Sequence, residues 1–505
     1  MKRSSGILLP VFSLPSKYGI GTFGEESFRF IDYLYEMGIS FWQILPLNPI
    51  YEGNSPYQSP SCFSGCEYYI DLDLLMKDKL LYEEEYANIK FCENENKVNY
   101  DLLRKERDPL LMLAAERFID KGIYKEEYKK FKKDFKFSLD KYALFILFKK
   151  LYNDASIKVW DNEYRDLESQ KTKEIIKENK DFLEKIKVIQ FLFFKQWINV
   201  KTYANDKGIK IIGDLPIYSA YESAECFFDY KNFLLENGQP KVVGGCPPDS
   251  FSIVGQVWNN PIYDYEYMEK DNFSYMVERM KIQNILYDVV RLDHFRGYDY
   301  YYAIPYGNTD GLNGEWHEGP RLKLFDIIKK KFKNLDIIAE DLGARSDSLE
   351  KLLSDTNFPR MNVLEFAFDM NNPFAEPFRP YLPENYSENS VSYLGTHDND
   401  TITGYINNLN EGVRHNIEKH FDLTPGTKYN ESLIKKLFES KSNLAIIQLQ
   451  DLLDIGSSGR INTPGTVSDS NWSFRLDKNY INDGLINFMR ELVVRTGRIE
   501  IKDNL

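Results

Sequence analysis

Three features of this 505-residue sequence predict an α/β fold built on a TIM (β/α)8 barrel. Eight short apolar, β-branched-rich runs recur, each ending in a polar or charged residue and a turn. Amphipathic helical stretches separate several of them, as parallel strands buried on both faces require. A length of about 500 residues suits one barrel that carries insertions.

In chain order the runs are Gly6–Val11, Ile39–Leu47, Ile209–Asp214, Val289–Asp293, Ile337–Glu340, Val363–Phe368, Val391–Asp398 and Ala445–Asp451. Crossover helices are predicted at Phe23–Glu36, Tyr275–Leu286 and Leu322–Phe332, where apolar residues fall at three- and four-residue spacing. The interval 68–197 is too long for one crossover. It is Lys/Glu-rich and helix-periodic, as in Leu144–Tyr152 and Phe182–Trp197, and reads as an inserted, mainly helical subdomain. A second insertion, 218–275, is aromatic and contains Gly244-Gly245-Cys246-Pro247-Pro248. It reads as a loop-rich excursion that covers substrate at the barrel mouth. A helix at about Asn482–Thr496 closes the chain, with no separate C-terminal β-domain expected.

Composition narrows the function. The formal net charge of −13 disfavours a general nucleic-acid or anionic-membrane binder and suits a neutral substrate. Aromatic residues make up 15%, enough to supply sugar-stacking faces, although most belong to the core. The five cysteines follow neither zinc-site nor disulfide spacing, so free thiols in a cytoplasmic protein are expected. The N-terminal apolar stretch is short, broken by Pro10, and lacks a cleavage site of signal-peptide type. With five histidines and no His-x-His or His-Glu-x-x-His pattern, neither metal nor other cofactor is expected.

Three of the predicted strands end in carboxylates with distinctive neighbours: Arg291-Leu292-Asp293-His294-Phe295-Arg296-Gly297, Ala339-Glu340-Asp341-Leu342-Gly343 and Gly395-Thr396-His397-Asp398-Asn399-Asp400. In a barrel, the C-terminal ends of strands four, five and seven converge on one pocket. Two carboxyl groups across a glycosidic bond give a covalent glycosyl-enzyme with retention when about 5–5.5 Å apart. Arg291 lies two residues before Asp293, on the same strand face, and favours the ionised form. Asp293 is therefore read as nucleophile, Glu340 as acid/base, and Asp398 as the carboxylate that binds sugar hydroxyls and the developing positive charge.

At these residues the chain resembles the α-amylase superfamily. It is most similar to the 4-α-glucanotransferases of glycoside hydrolase family 77, known as amylomaltase or disproportionating enzyme. The resemblance runs nearly end to end. It includes Ser4–Pro10, Ser16–Gly24, Trp42–Leu47, Ser55–Ser59, Gly213–Tyr218, Pro247–Phe251, Gly255–Pro261 and Asn462–Thr466. It implies retaining transfer of α-1,4-glucan segments from maltooligosaccharides, starch or glycogen fragments onto glucose or another glucan. The family pattern places the same three roles on Asp293, Glu340 and Asp398. It also implies substrate contacts at Tyr57, Asp249, Gln256, Trp258, Arg291, His294 and His397, with Asp214 and Asp369 as supporting carboxylates. Ser250 stands where an aromatic is common in the family, and no His follows the Gly213-Asp214-Leu215-Pro216 motif, unlike in amylases.

Transfer and hydrolysis share their first half-reaction. A preference for transfer needs a cover that holds an acceptor and excludes water, and the 244–261 loop, with Phe251 and Trp258, is the candidate. Deleting it is expected to raise hydrolysis relative to transfer. A hydrolase of the same superfamily and a non-catalytic glucan-binding protein remain open from sequence.

Overall fold

Eight parallel strands close into a barrel in a computed structural model that describes residues 2–248, 252–343, 345–370, 372 and 374–499. We number the barrel strands β1 (Ser4–Leu8), β2 (Phe41–Gln43), β3 (Lys210–Leu215), β4 (Val289–Leu292), β5 (Asp336–Ala339), β6 (Arg360–Val363), β7 (Ser390–Tyr393) and β8 (Leu444–Gln448). Each pairs with its sequence neighbour, and β8 pairs with β1 to close the ring.

Alternate residues of each strand face opposite sides. Leu8, Ile212, Val289, Ile338, Val363, Val391 and Ile446 belong to one cluster inside the barrel. Ile7, Ile211, Val290, Ile337 and Ile447 pack into the larger core between strands and helices. This parity fixes the site: two residues beyond Ile212 comes Asp214, two beyond Val289 comes Arg291, and two beyond Ile338 comes Glu340. Gly213 lies where a Cβ would stand 2.0 Å from the Tyr287 ring, so only glycine lets β3 approach that buried aromatic.

The sixth run differs from its predicted placement. The strand is Arg360–Val363, and Leu364–Ala367 instead forms a 3-10 turn. Leu364 and Ala367 of this turn are buried as strand residues would be, and a short buried run does not distinguish strand from turn. Glu365 N–H donates to the Leu394 carbonyl, carrying the chain off the sheet toward the end of β7.

Helices Glu25–Met37, Ser274–Leu286 and Arg321–Lys331 lie where periodicity placed them. The interval 68–197 is mainly helical: Tyr100–Lys121, Lys125–Asp134, Leu139–Leu151 and Gln170–Glu178 precede a long helix, Lys180–Asp206. That helix runs past Trp197 and packs on the barrel, where the Trp197 ring lies 5.1 Å from Phe23 and its indole N–H donates to the Leu286 carbonyl. The 218–275 excursion is more regular than its Gly and Pro content predicts. Val242–Cys246 and Gln256–Pro261 form an antiparallel hairpin, extended by Tyr300–Pro305 and Glu315–Glu318 into a four-stranded sheet beside the mouth. The last helix among the described residues is Asp483–Arg495.

None of the five cysteines, all of them among the described residues, is in a disulfide. Among the described residues, no helix is long and apolar enough to cross a membrane, and no group of three or more His, Cys, Asp or Glu is arranged to hold a metal ion.

Candidate active site

The parallel register sets Asp214 of β3 directly beside Arg291 of β4. The Arg291 guanidinium donates to Asp214 at 2.5 Å and to Asp293 at 3.1 Å, and its other terminal nitrogen lies 3.9 Å from Glu340. One cation thus touches three carboxylates from three strands. Arg291 and Asp214 are buried, whereas Asp293 keeps a quarter of its side chain exposed and Glu340 about a tenth. Burial alone would lower the Arg291 pKa, but Asp214, then Asp293 and Glu340, raise it well above the ordinary range.

Removing that cation strands Asp214 in the interior. Arg291→Leu is expected to lower the unfolding free energy by about 3–5 kcal/mol, the penalty for leaving a buried charge unpaired. Urea denaturation reads it, and a loss below about 1 kcal/mol would contradict the placement.

The turn after β4 is strained. His294 adopts φ +45, a left-handed conformation uncommon for a residue with a Cβ. The strain aims its backbone N–H at Glu340, 2.5 Å from the carboxylate. The carboxyls of Asp293 and Glu340 titrate as a pair. For Asp293, burial pushes the pKa up, Arg291 pulls it back, and Asp214 and Asp398 push it up again. For Glu340, burial pushes up, Arg291 pulls down and Asp293 pushes further up. Asp293 has the closer cation, so the pair's shared proton rests on Glu340. Asp341, next in sequence, faces the other way and is held by Arg360 at 2.6 Å and by Met361 N–H at 2.9 Å.

On the far side, beyond β7, His397 is buried and stacks on Tyr57 with ring centroids 5.4 Å apart. The Tyr57 hydroxyl donates to Asp214 at 2.8 Å and lies 2.9 Å from His397 Nε2. His397 Nε2 in turn stands 3.5 Å from Asp398. Asp398 accepts from Asn462 Nδ2 at 2.7 Å, and its carbonyl accepts from Arg460 at 2.8 Å. Burial, then the Arg296 charge, lowers His294 to about 4, and burial also lowers His397. Both imidazoles are therefore neutral near pH 7. Among the described residues, His294 Nε2, His397 Nδ1 and Asp214 Oδ1 are buried without a hydrogen-bond partner, which sugar hydroxyls can supply.

Trp258, on the Gln256–Pro261 strand, meets the His294 ring edge-on at 4.8 Å. Its indole N–H donates to Gln256 at 3.2 Å, and its carbonyl accepts from Gln58 at 2.9 Å.

The structure thus gathers Asp293, Glu340, Asp398, Arg291, Asp214, Tyr57, His294, His397, Gln256 and Trp258 around one mouth. Asp369 lies exposed on the segment after β6, where its charge acts on Tyr405. Asp249 and Phe251 lie outside the described residues. Sequence reasoning gave no role to Asn462, Arg460 or Gln58. Two of these sit in quoted motifs, Ser55–Ser59 and Asn462–Thr466, whose specificity was the available signal.

The family model described as 4-alpha-glucanotransferase matches residues 9–480. A 4-alpha-glucanotransferase of Clostridium butyricum is 42% identical, covering 97% of this chain and 100% of the relative. The chloroplastic/amyloplastic 4-alpha-glucanotransferase of Solanum tuberosum is 36% identical over 99% of this chain and 87% of its own. Among solved structures, amylomaltase from Streptococcus agalactiae in complex with acarbose superposes with a TM-score of 0.94 at 34% identity, covering 99% of this chain and 100% of that one. The fold recurs in amylomaltase from Corynebacterium glutamicum, with a TM-score of 0.73 at 16% identity over 99% of this chain and 75% of that one. This chain belongs to the 4-alpha-glucanotransferase family.

Proposed function

We propose that the protein moves α-1,4-glucan segments from a donor glucan to the 4-hydroxyl of glucose or another glucan, with retention, through a glycosyl ester on Asp293. The observation that carries this reading is the single Arg291 guanidinium set against both Asp293 and Glu340 at the barrel mouth. Asp293 attacks the anomeric carbon while Glu340 gives its proton to the departing glycosidic oxygen. Glu340, now ionised, removes the proton from the incoming 4-hydroxyl, and the glycosyl–Asp293 bond breaks. Asp398, fixed by Asn462 and Arg460, accepts from ring hydroxyls and stabilises the positive charge of the transition state. The neutral imidazoles of His294 and His397 bind sugar hydroxyls without competing for the proton that Glu340 must carry.

The test is product analysis with maltotriose as sole substrate. Transfer yields glucose together with maltotetraose and longer oligomers. Glucose and maltose with nothing longer would mark a hydrolase and overturn the proposal.

Trp258, on the Gln256–Pro261 strand and edge-on to the His294 ring, supplies an apolar face beside the reacting sugar. Trp258→Ala removes an aromatic contact worth about 1 kcal/mol. It is expected to lower the transfer-to-hydrolysis ratio about fivefold, measured as oligosaccharide formed against reducing ends released. An unchanged ratio would remove Trp258 from acceptor binding. Five cysteines with no disulfide among them support a cytoplasmic setting.

A further inference from the structure

Glu365 is a buried carboxyl group that the mechanism above does not use. It sits on the 3-10 turn after β6, 7% exposed, and is tied to the end of β7 by its backbone N–H. Its Oε2 accepts from Asn399 Nδ2 at 3.1 Å. The other end of that amide, Asn399 Oδ1, accepts from both the backbone N–H and the hydroxyl of Thr396, at 2.9 and 3.0 Å. Thr396 Oγ1 accepts in turn from the backbone N–H of Asp398 at 3.4 Å. Thr396 and Asn399 are both buried, so nothing in solvent replaces these bonds. Gly395 completes the fit: a Cβ there would lie 2.7 Å from Glu365 Oε1 and 2.8 Å from Asn399 Cβ. The turn therefore closes around the carboxyl only because residue 395 is glycine. Asn462 and Arg460 grip Asp398 from one side, and this chain sets its backbone from the other.

We propose that Glu365 is a positioning residue for Asp398, acting through Asn399 and Thr396 to fix the turn that presents Asp398 and His397 to the sugar. The inference rests on the role given to Asp398 above. Burial, then the charges of Asp451 and Asp400, raises Glu365 well above the usual carboxylate range. Burial thus disfavours the ionised form, and an uncharged amide that keeps the bond to Asn399 can take its place.

The experiment compares Glu365→Leu, Glu365→Gln, Thr396→Val and Asp398→Asn in the full-length protein with maltotriose. Folding is verified by near-UV circular dichroism and cooperative melting. A misplaced transition-state group costs turnover more than ground-state binding. Glu365→Leu and Thr396→Val are expected to lower kcat about 100-fold with KM within about threefold. Both should weaken binding of a cationic iminosugar mimic of the transition state by a similar factor. Glu365→Gln is expected to keep kcat within about threefold of the parent. Should Glu365→Leu fail to fold, Thr396→Val carries the test. Folded Glu365→Leu or Thr396→Val with parental kcat, beside a crippled Asp398→Asn, would overturn the inference alone. So would a Glu365→Gln protein as poor as Glu365→Leu. A fully active Asp398→Asn would overturn the role of Asp398 and the inference with it.

Discussion

Asp293→Ala is expected to abolish transfer and hydrolysis together, with kcat falling on the order of 10⁴-fold or more, because both reactions pass through the ester on this side chain. The loss should not come from unfolding. Arg291 keeps its shorter bond to Asp214 when Asp293 is removed, and the cost of burying Asp293, which with the repulsion of Asp214 and Asp398 raises its pKa, is relieved. The unfolding midpoint in urea should therefore be unchanged or higher than the parent's. Turnover of maltotriose followed by chromatography, with urea titration in parallel, checks both halves. Appreciable activity in the folded variant would remove Asp293 from its role.

The second large effect belongs to Glu340, and it depends on the leaving group. A glucan leaves poorly without a proton, whereas fluoride leaves without one. Glu340→Gln should lower kcat/KM for maltotriose by about 10²–10⁴-fold, the usual worth of general acid catalysis, and spare the first step with α-maltosyl fluoride. The pH dependence carries the same information. The working pair holds one proton, on Glu340. Below the pair's lower pKa a second proton neutralises Asp293, and above the upper one Glu340 loses the proton it must donate, so kcat/KM falls at both ends. Because burial raises both carboxyls, both limbs should lie above the pH range in which ordinary carboxylates titrate. In Glu340→Gln assayed with the fluoride donor, the alkaline limb should vanish and the acid limb remain. A persisting alkaline limb would assign the acid to another group.

The barrel was legible because strands buried on both faces read as continuous apolar runs, and because parity within β3, β4 and β5 carries Asp214, Arg291, Asp293 and Glu340 to one interior side. The sixth predicted run falls largely on the turn Leu364–Ala367 that follows the strand, since Leu364 and Ala367 are buried for tertiary reasons that composition does not separate from strand. The four-stranded sheet at the mouth escaped notice because its strands come from two segments, 242–261 and 300–318, and the Gly-rich strand Val242–Cys246 reads as loop. The carboxylates were readable as strand-end residues. Their supports were not: Asn462 meets Asp398 across 64 positions of sequence, and Glu365 meets Asn399 across 34. Neither pairing has a local pattern. The ion pair of Arg291 with Asp214 follows from β3–β4 register, a property of the closed ring.

Peptide mapping of the trapped intermediate tests the central claim most directly. Glu340→Gln mixed with α-maltosyl fluoride should accumulate a glycosyl-enzyme, since the base that activates the acceptor is missing. Mass spectrometry of the acid-quenched protein should then place one maltosyl ester on the peptide containing Asp293. An ester on another residue, or fluoride release in a rapid burst with no adduct on any peptide, would contradict the account.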